Sequence, residues 1–238
     1  MDKELSGGQM ELTIEHARRV LEVVDHGLAH GVGTPIPGRM CVEAAVCFAL
    51  GLPHGDDPPC VGQAVRAFKI RLNDSRWSSD KARANGMRRV AIAQLGSDHI
   101  DQHEFRKEVA VQTVRQIIPI ALRAAAKMNP AHAETLEACA LACEVAMDLS
   151  AARVATRAAR DRAAEVRAYA ADADADAYAY AADAAAYAAD AADAAAHTAK
   201  PKKRLEILML CAKIGLEALQ QLKSPGCAWL FLCDDQHD

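Results

Sequence analysis

AYAADADADAYAYAADAAAYAADAADAAAHTA, residues 168–199, is built almost wholly from Ala, Asp and Tyr and holds neither glycine nor proline. Alanine is the strongest helix former, since fixing its side chain costs no entropy, so the tract is predicted to be helical on propensity alone. At about 100° per residue, Tyr169, Asp172, Asp176, Tyr180, Asp183, Tyr187 and Asp190 fall within one arc of roughly 80°. Asp174, Tyr178 and Asp193 lie outside it, and most of the remaining surface is bare methyl. Such a rod has one smooth face for close packing and one ridge of phenols and carboxylates. The ridge is the expected partner-binding site, because tyrosine supplies contact area and carboxylates can meet a partner's arginines.

Working outward, the chain has no glycine or proline between Pro130 and Pro201. A straight helix of that length would run about 105 Å, whereas a compact chain of this size has a radius of gyration near 18 Å. The run must therefore protrude, break, or lie along a second molecule. Ser150 and the like-charged Asp172/Asp176 pair are its weakest points. Arg153, Arg157, Arg160, Arg162 and Arg167 form a basic band just before the acidic tract. Two antiparallel copies would set band against tract, and a homodimer packed partly on alanine faces is expected.

Ile14, Ala17, Leu21, Val24 and Leu28 recur at three and four, predicting a first helix up to Gly31. GVGTPIPG, residues 31–38, can only be a loop. A short apolar helix is expected over Met40–Leu50, then the loop LPHGDDPP, then a third helix ending near Asn73-Asp74. Ser78 or Ser79 can cap a fourth helix running to Gly96, and Asp101 with Glu104 reads as a capping box. Pro119 should kink the helix that follows, and Asn129-Pro130 reads as the cap and first residue of the next. Leu205, Leu208, Ala212, Leu216 and Leu219 mark a last long helix, ended by Ser224-Pro225-Gly226 before the apolar tail CAWLFLC. No strand pattern occurs. The fold class is all-α: a multi-helix N-terminal bundle (1–128), a long Ala-rich helix or helix pair (129–200), and a C-terminal helix packing back with its tail (201–238).

Formal charge is −4, which argues against a general nucleic-acid binder. Lys81, Arg83, Arg88 and Arg89 give the fourth helix some basic character, with Trp77 the one aromatic nearby. No apolar run approaches the roughly 20 residues that span a bilayer, and Met1–Gln9 is too polar for a signal peptide. Of the 8 cysteines, several sit inside apolar helical patterns, as in Met40-Cys41-Val42. Reduced, packed cysteine is the expectation, and with it a cytoplasmic location.

Three strings stand out between Gly38 and Ser97: GRMCVEAAVCFALGLPHGDDPPCV, RAFKIRLND and WSSDKARANGMRRVAIAQLGS. Together with the terminal KSPGCAWL they resemble a family of uncharacterised proteins encoded by bacteriophages and phage-derived metagenomic sequences. The resemblance covers about a third of the chain and implies no activity, cofactor or catalytic residue. It implies a setting, the bacterial host cytoplasm, and a common task of phage accessory proteins: binding a host protein to disable a defence component. The expected function is thus non-enzymatic inhibition by contact.

Two other chemistries are legible. GLPHGDDPPC is a rigid, proline-bounded loop, and a small-ligand site, for a nucleotide, would join His54, Asp56 and Asp57 to Arg66, Lys69 and Arg71 on the next helix. Cys41 follows a Pro/Gly loop at a helix start, where the dipole can lower a thiol's pKa. As a nucleophile it would need His54 as base, oriented by Glu43, Asp56 or Asp57. His99/His103 and Cys139/Cys143 are each spaced i, i+4. The histidines read as a solvated first turn and the cysteines as core, so neither a metal nor any other cofactor is expected.

Overall fold

A computed structural model describes residues 11–128, 130–148, 150–155, 157–158 and 201–234. All regular structure among them is helical: α1 Ile14–Asp25, α2 Val42–Ala49, α3 Gln63–Asp74, α4 Asp80–Ala93, α5 Gln102–Gln116, α6 Ile118–Met128, α7 Ala133–Glu144 and α8 Pro201–Gln221. Short 3₁₀ turns occupy Ser97–His99 and Pro130–His132, and a longer one, Pro225–Cys233, forms the tail. One isolated antiparallel bridge pairs Gly33 with Met40. The fold is all-α, and no helix among the described residues is long and apolar enough to cross a membrane.

Helix starts follow the expected chemistry. Ser79 Oγ accepts the Ala82 N–H at 3.0 Å to open α4. Asp101 accepts the His103 and Glu104 N–H groups at 2.8 and 3.0 Å to open α5. The reciprocal half of that capping box does not form, because the Glu104 carboxylate turns to Lys107 at 2.9 Å.

The main core joins α1, α2, α3, α4, the N-terminal part of α5, α8 and the tail. α2 lies at its centre: Val42, Glu43, Ala44, Ala45, Val46, Cys47 and Ala49 are all buried. α4 is the common wall, touching α1, α2, α8 and the tail. Phe68 of α3 meets Phe105 of α5 edge-to-face, centroids 6.0 Å apart and planes at 77°. α8 packs on α3, α4 and α5, so residues 201–233, set apart in the sequence reading, share a core with residues 17–117.

A second, thinner core holds Val111, Val114, Ile118, Leu122, Leu136, Ala140, Cys143, Ala146, Ala152 and Ala155. α6 and α7 are clamped there by Arg123, whose guanidinium reaches Glu137 at 2.8 Å and Glu144 at 2.5 Å. Pro119 marks a boundary rather than a kink: α5 closes at Gln116, and α6 opens at Ile118 with the proline in its first turn, where no N–H is needed. α7 begins at Ala133, after the 3₁₀ turn, and not at Pro130.

The expected long helix breaks just before Ser150, one of its two weakest points. α7 stops at Glu144, and helix resumes at 150 after Asp148 accepts the Ala151 N–H at 2.8 Å. Asp148 acts as an N-cap, and a capping carboxylate is what permits a break without glycine or proline.

Candidate functional site

The block that carries the resemblance folds around one protruding hairpin, residues 31–40. Its stem is the Gly33–Met40 bridge, extended by Ala29 N–H to Met40 O at 2.9 Å and Cys41 N–H to Val32 O at 3.2 Å. At the tip, Ile36 N–H donates to Thr34 O at 2.7 Å across Pro35, and Arg39 N–H donates to Ile36 O at 2.9 Å. Pro37 followed by Gly38 at φ 83° is the sequence a type II turn requires. Gly33 sits at φ 72°, and a Cβ there would strike the Arg39 carbonyl. Prolines and tight turns thus leave this loop little freedom.

The hairpin's footing comes from distant residues. Asn73, at the end of α3, donates to Ala29 O at 2.9 Å and accepts the Val42 N–H at 3.2 Å. Asp74 accepts the Gly31 N–H at 2.7 Å. Arg83 of α4 is buried and donates to Leu28 O at 2.7 Å and Asn73 O at 2.6 Å. His54 Nε2 lies 3.1 Å from the Gly33 carbonyl, so the ring donates from that nitrogen. Between hairpin, α2 start and α3 end lies a cleft of about 80 Å³, lined by Val32, Cys41, Asp56, Ile70, Asn73 and Asp74 among others. Ligand pockets usually offer about 300–1,000 Å³.

This geometry brings two members of the expected ligand set together and takes one out of reach of solvent. Arg66 pairs with Asp57. Lys69, expected to meet phosphate, instead lies wholly inside the protein, 2.8 Å from an equally buried Glu43. The reason is its register: with Val65, Phe68 and Leu72 it occupies the buried stripe of α3. Neither group has a further hydrogen-bond partner among the described residues. Asp56 lines the cleft, and Arg71 stays half-exposed on α3.

The cysteine-enzyme arrangement does not assemble either. Cys41 is the N-cap of α2 and its sulfur accepts the Ala44 N–H at 3.4 Å. Burial nonetheless pushes its thiol up, outweighing the helix-end hydrogen bonds, and Glu43 adds to the rise. His54, the proposed base, is committed to Gly33. Burial drives Cys47 and Cys60 to about 11. Iodoacetamide at pH 7 should therefore label Cys41 no faster than an ordinary buried thiol, and mass spectrometry of the native chain against the urea-unfolded chain checks this. Rapid selective labelling of Cys41 would restore the nucleophile.

His99 belongs to a 3₁₀ turn and His103 to α5, so their sequence spacing does not place them on one helix. Cys143 is buried, with its thiol pushed to about 12, and Cys139 is half-buried. No cluster of three metal-ligating side chains occurs among the described residues. The basic groups of α4 are engaged within the chain: Lys81 with Asp25 O, Arg88 with Asp25 and Cys233 O, and Arg89 with Asp234. Tyr169, Asp172, Asp176, Tyr180, Asp183, Tyr187 and Asp190 lie outside the described residues; of the basic band, Arg153 and Arg157 are seen, both exposed.

Sequence reasoning missed Asn73, Asp74 and Arg83 as the hairpin's supports, reading the first two only as a helix end. The clue available was a polar Asn-Asp pair directly after Leu72 in an otherwise amphipathic helix. Comparison with family models, with curated proteins and with solved structures finds no match for this chain.

Proposed function

We propose that the chain works by contact with another protein, as a non-enzymatic accessory protein of phage type that binds a bacterial host protein and inhibits a defence component. One observation carries the contact reading: four polar side chains from distant positions hold a hairpin that leaves apolar side chains exposed at its stem and tip. Ile36 is 49% exposed and Val32 37%, while His54, Asn73, Asp74 and Arg83 all brace the backbone around them. A stiff loop loses little entropy when a partner closes on it, which favours recognition over turnover. The setting and the inhibitory outcome rest on the resemblance alone.

Affinity capture from a bacterial lysate tests the reading. The tagged chain should return one host protein at near-equal stoichiometry and unaltered mass, and a Cys41→Ala chain should return it equally. A partner recovered in covalently altered form, or its loss with Cys41→Ala despite an unchanged melting temperature, would favour catalysis and overturn contact.

A further inference from the structure

We propose that the 31–40 hairpin is an insertion element: Ile36 enters an apolar pocket on a partner protein while Arg39 pairs with a carboxylate at that pocket's rim. The inference rests on the contact reading and specifies its surface and the chemistry of its partner. Ile36 stands between two prolines, at a tip closed by its own carbonyl bond to Arg39 N–H and its own N–H bond to Thr34 O. An isoleucine half in water, on a backbone this constrained, has its hydrophobic surface unspent and its conformation already fixed.

Charge supplies the second half of the match. Arg39 closes the same turn, is exposed, and has no ion-pair partner among the described residues. Of the carboxylates near the stem, Asp74 accepts from Gly31 and Asn73, Asp57 pairs with Arg66, and Asp56 faces the cleft beside Val32, without an ion pair to Arg39. The tip therefore presents an apolar knob beside one unpaired cation. A concave apolar pocket with an acidic group at its edge complements both features, and a pocket rimmed by lysine or arginine would repel the element.

A photo-crosslinking residue, p-benzoylphenylalanine, placed at position 36 of the full chain in bacterial cells tests this. The expected result is one discrete adduct whose mapped peptide is apolar and lies beside an Asp or Glu in the partner. With the captured partner purified, Ile36→Ala should weaken binding about 50-fold, the loss of three buried methylene-sized groups, without lowering the melting temperature. Arg39→Glu should weaken binding at least about tenfold, and replacing the mapped partner carboxylate by lysine should restore it. An adduct at 36 that is indifferent to Arg39→Glu overturns the carboxylate. Adducts from Val145 or Phe231, exposed apolar residues after α7 and in the tail, but none from 36 overturn the hairpin while leaving contact standing. No adduct from any of the three positions removes the contact reading as well.

Discussion

Lys69→Met should lower the stability of the folded chain by roughly 3–5 kcal/mol, because it leaves Glu43 charged and unpaired inside the protein. For a chain of this size that corresponds to a fall in melting temperature on the order of 10 °C. The pH dependence identifies the cause. Burial raises Glu43 above its usual value even with Lys69 beside it, and Lys69 is the main influence pulling it back. Without Lys69 the folded-state pKa lies higher still. A raised folded pKa means stability is full below the unfolded value and lost as pH rises through the folded one. The Lys69→Met deficit, measured by urea unfolding against the parent chain, should therefore shrink between pH 8 and pH 5.

Glu43→Gln should show the opposite slope. Lys69 is lowered by burial, with Glu43 the chief opposing influence. An orphaned Lys69 is penalised in full below its lowered folded pKa and no longer above its unfolded one, so that variant's deficit should shrink as pH rises. Glu43→Leu with Lys69→Met should recover most of either loss, since apolar replacement of a whole buried pair is often neutral or better. Two single variants with parallel, flat pH profiles would contradict this account of the pair.

The second large effect concerns the tail. Gly226 N–H donates to Leu95 O at 2.7 Å, and Ser224 Oγ donates to Ala93 O at 2.5 Å, so the tail seals the C-terminal carbonyls of α4. A Cβ on Gly226 would collide with the Ile92 carbonyl and sit 3.0 Å from both Leu95 N and O. Backbone cannot yield as a flexible side chain can. Gly226→Ala should cost about 3 kcal/mol and lift the tail, making Lys223 a trypsin site and shifting Trp229 fluorescence to the red. A variant that melts and resists trypsin like the parent would show that the tail docks otherwise.

Much of the helical framework was legible because it rests on local rules. Apolar spacing found α1, α3 and α8, and short polar side chains found the starts of α4 and α5. What escaped was decided by distance in sequence. A lysine flanked by Arg66 and Arg71 reads as a third cation for a ligand, although its place between Phe68 and Leu72 puts it on the inner stripe. Nothing near Glu43 announces that its counter-ion sits on the following helix. The hairpin was seen as a loop, but its rigidity depends on Asn73, Asp74 and Arg83, which only the folded chain brings to it. The break at Asp148 was obscured because an aspartate inside an alanine-rich run carries no mark of capping. The contacts of the His54 loop are hidden for the same reason: His54 and Asp57 are polar, and only the folded chain turns them toward the Gly33 carbonyl and Arg66.

The shared core has a consequence for how this chain comes into being. Ile207, Leu208, Cys211, Ile214 and Leu219 close the same interior as Val20, Val46, Phe68 and Met87. Until those late residues have left the ribosome, the earlier helices stand with one wall missing and their greasy side bare. Translation must therefore run about 125 codons past the end of α4, at Ala93, to Leu219 before the assembly can shut.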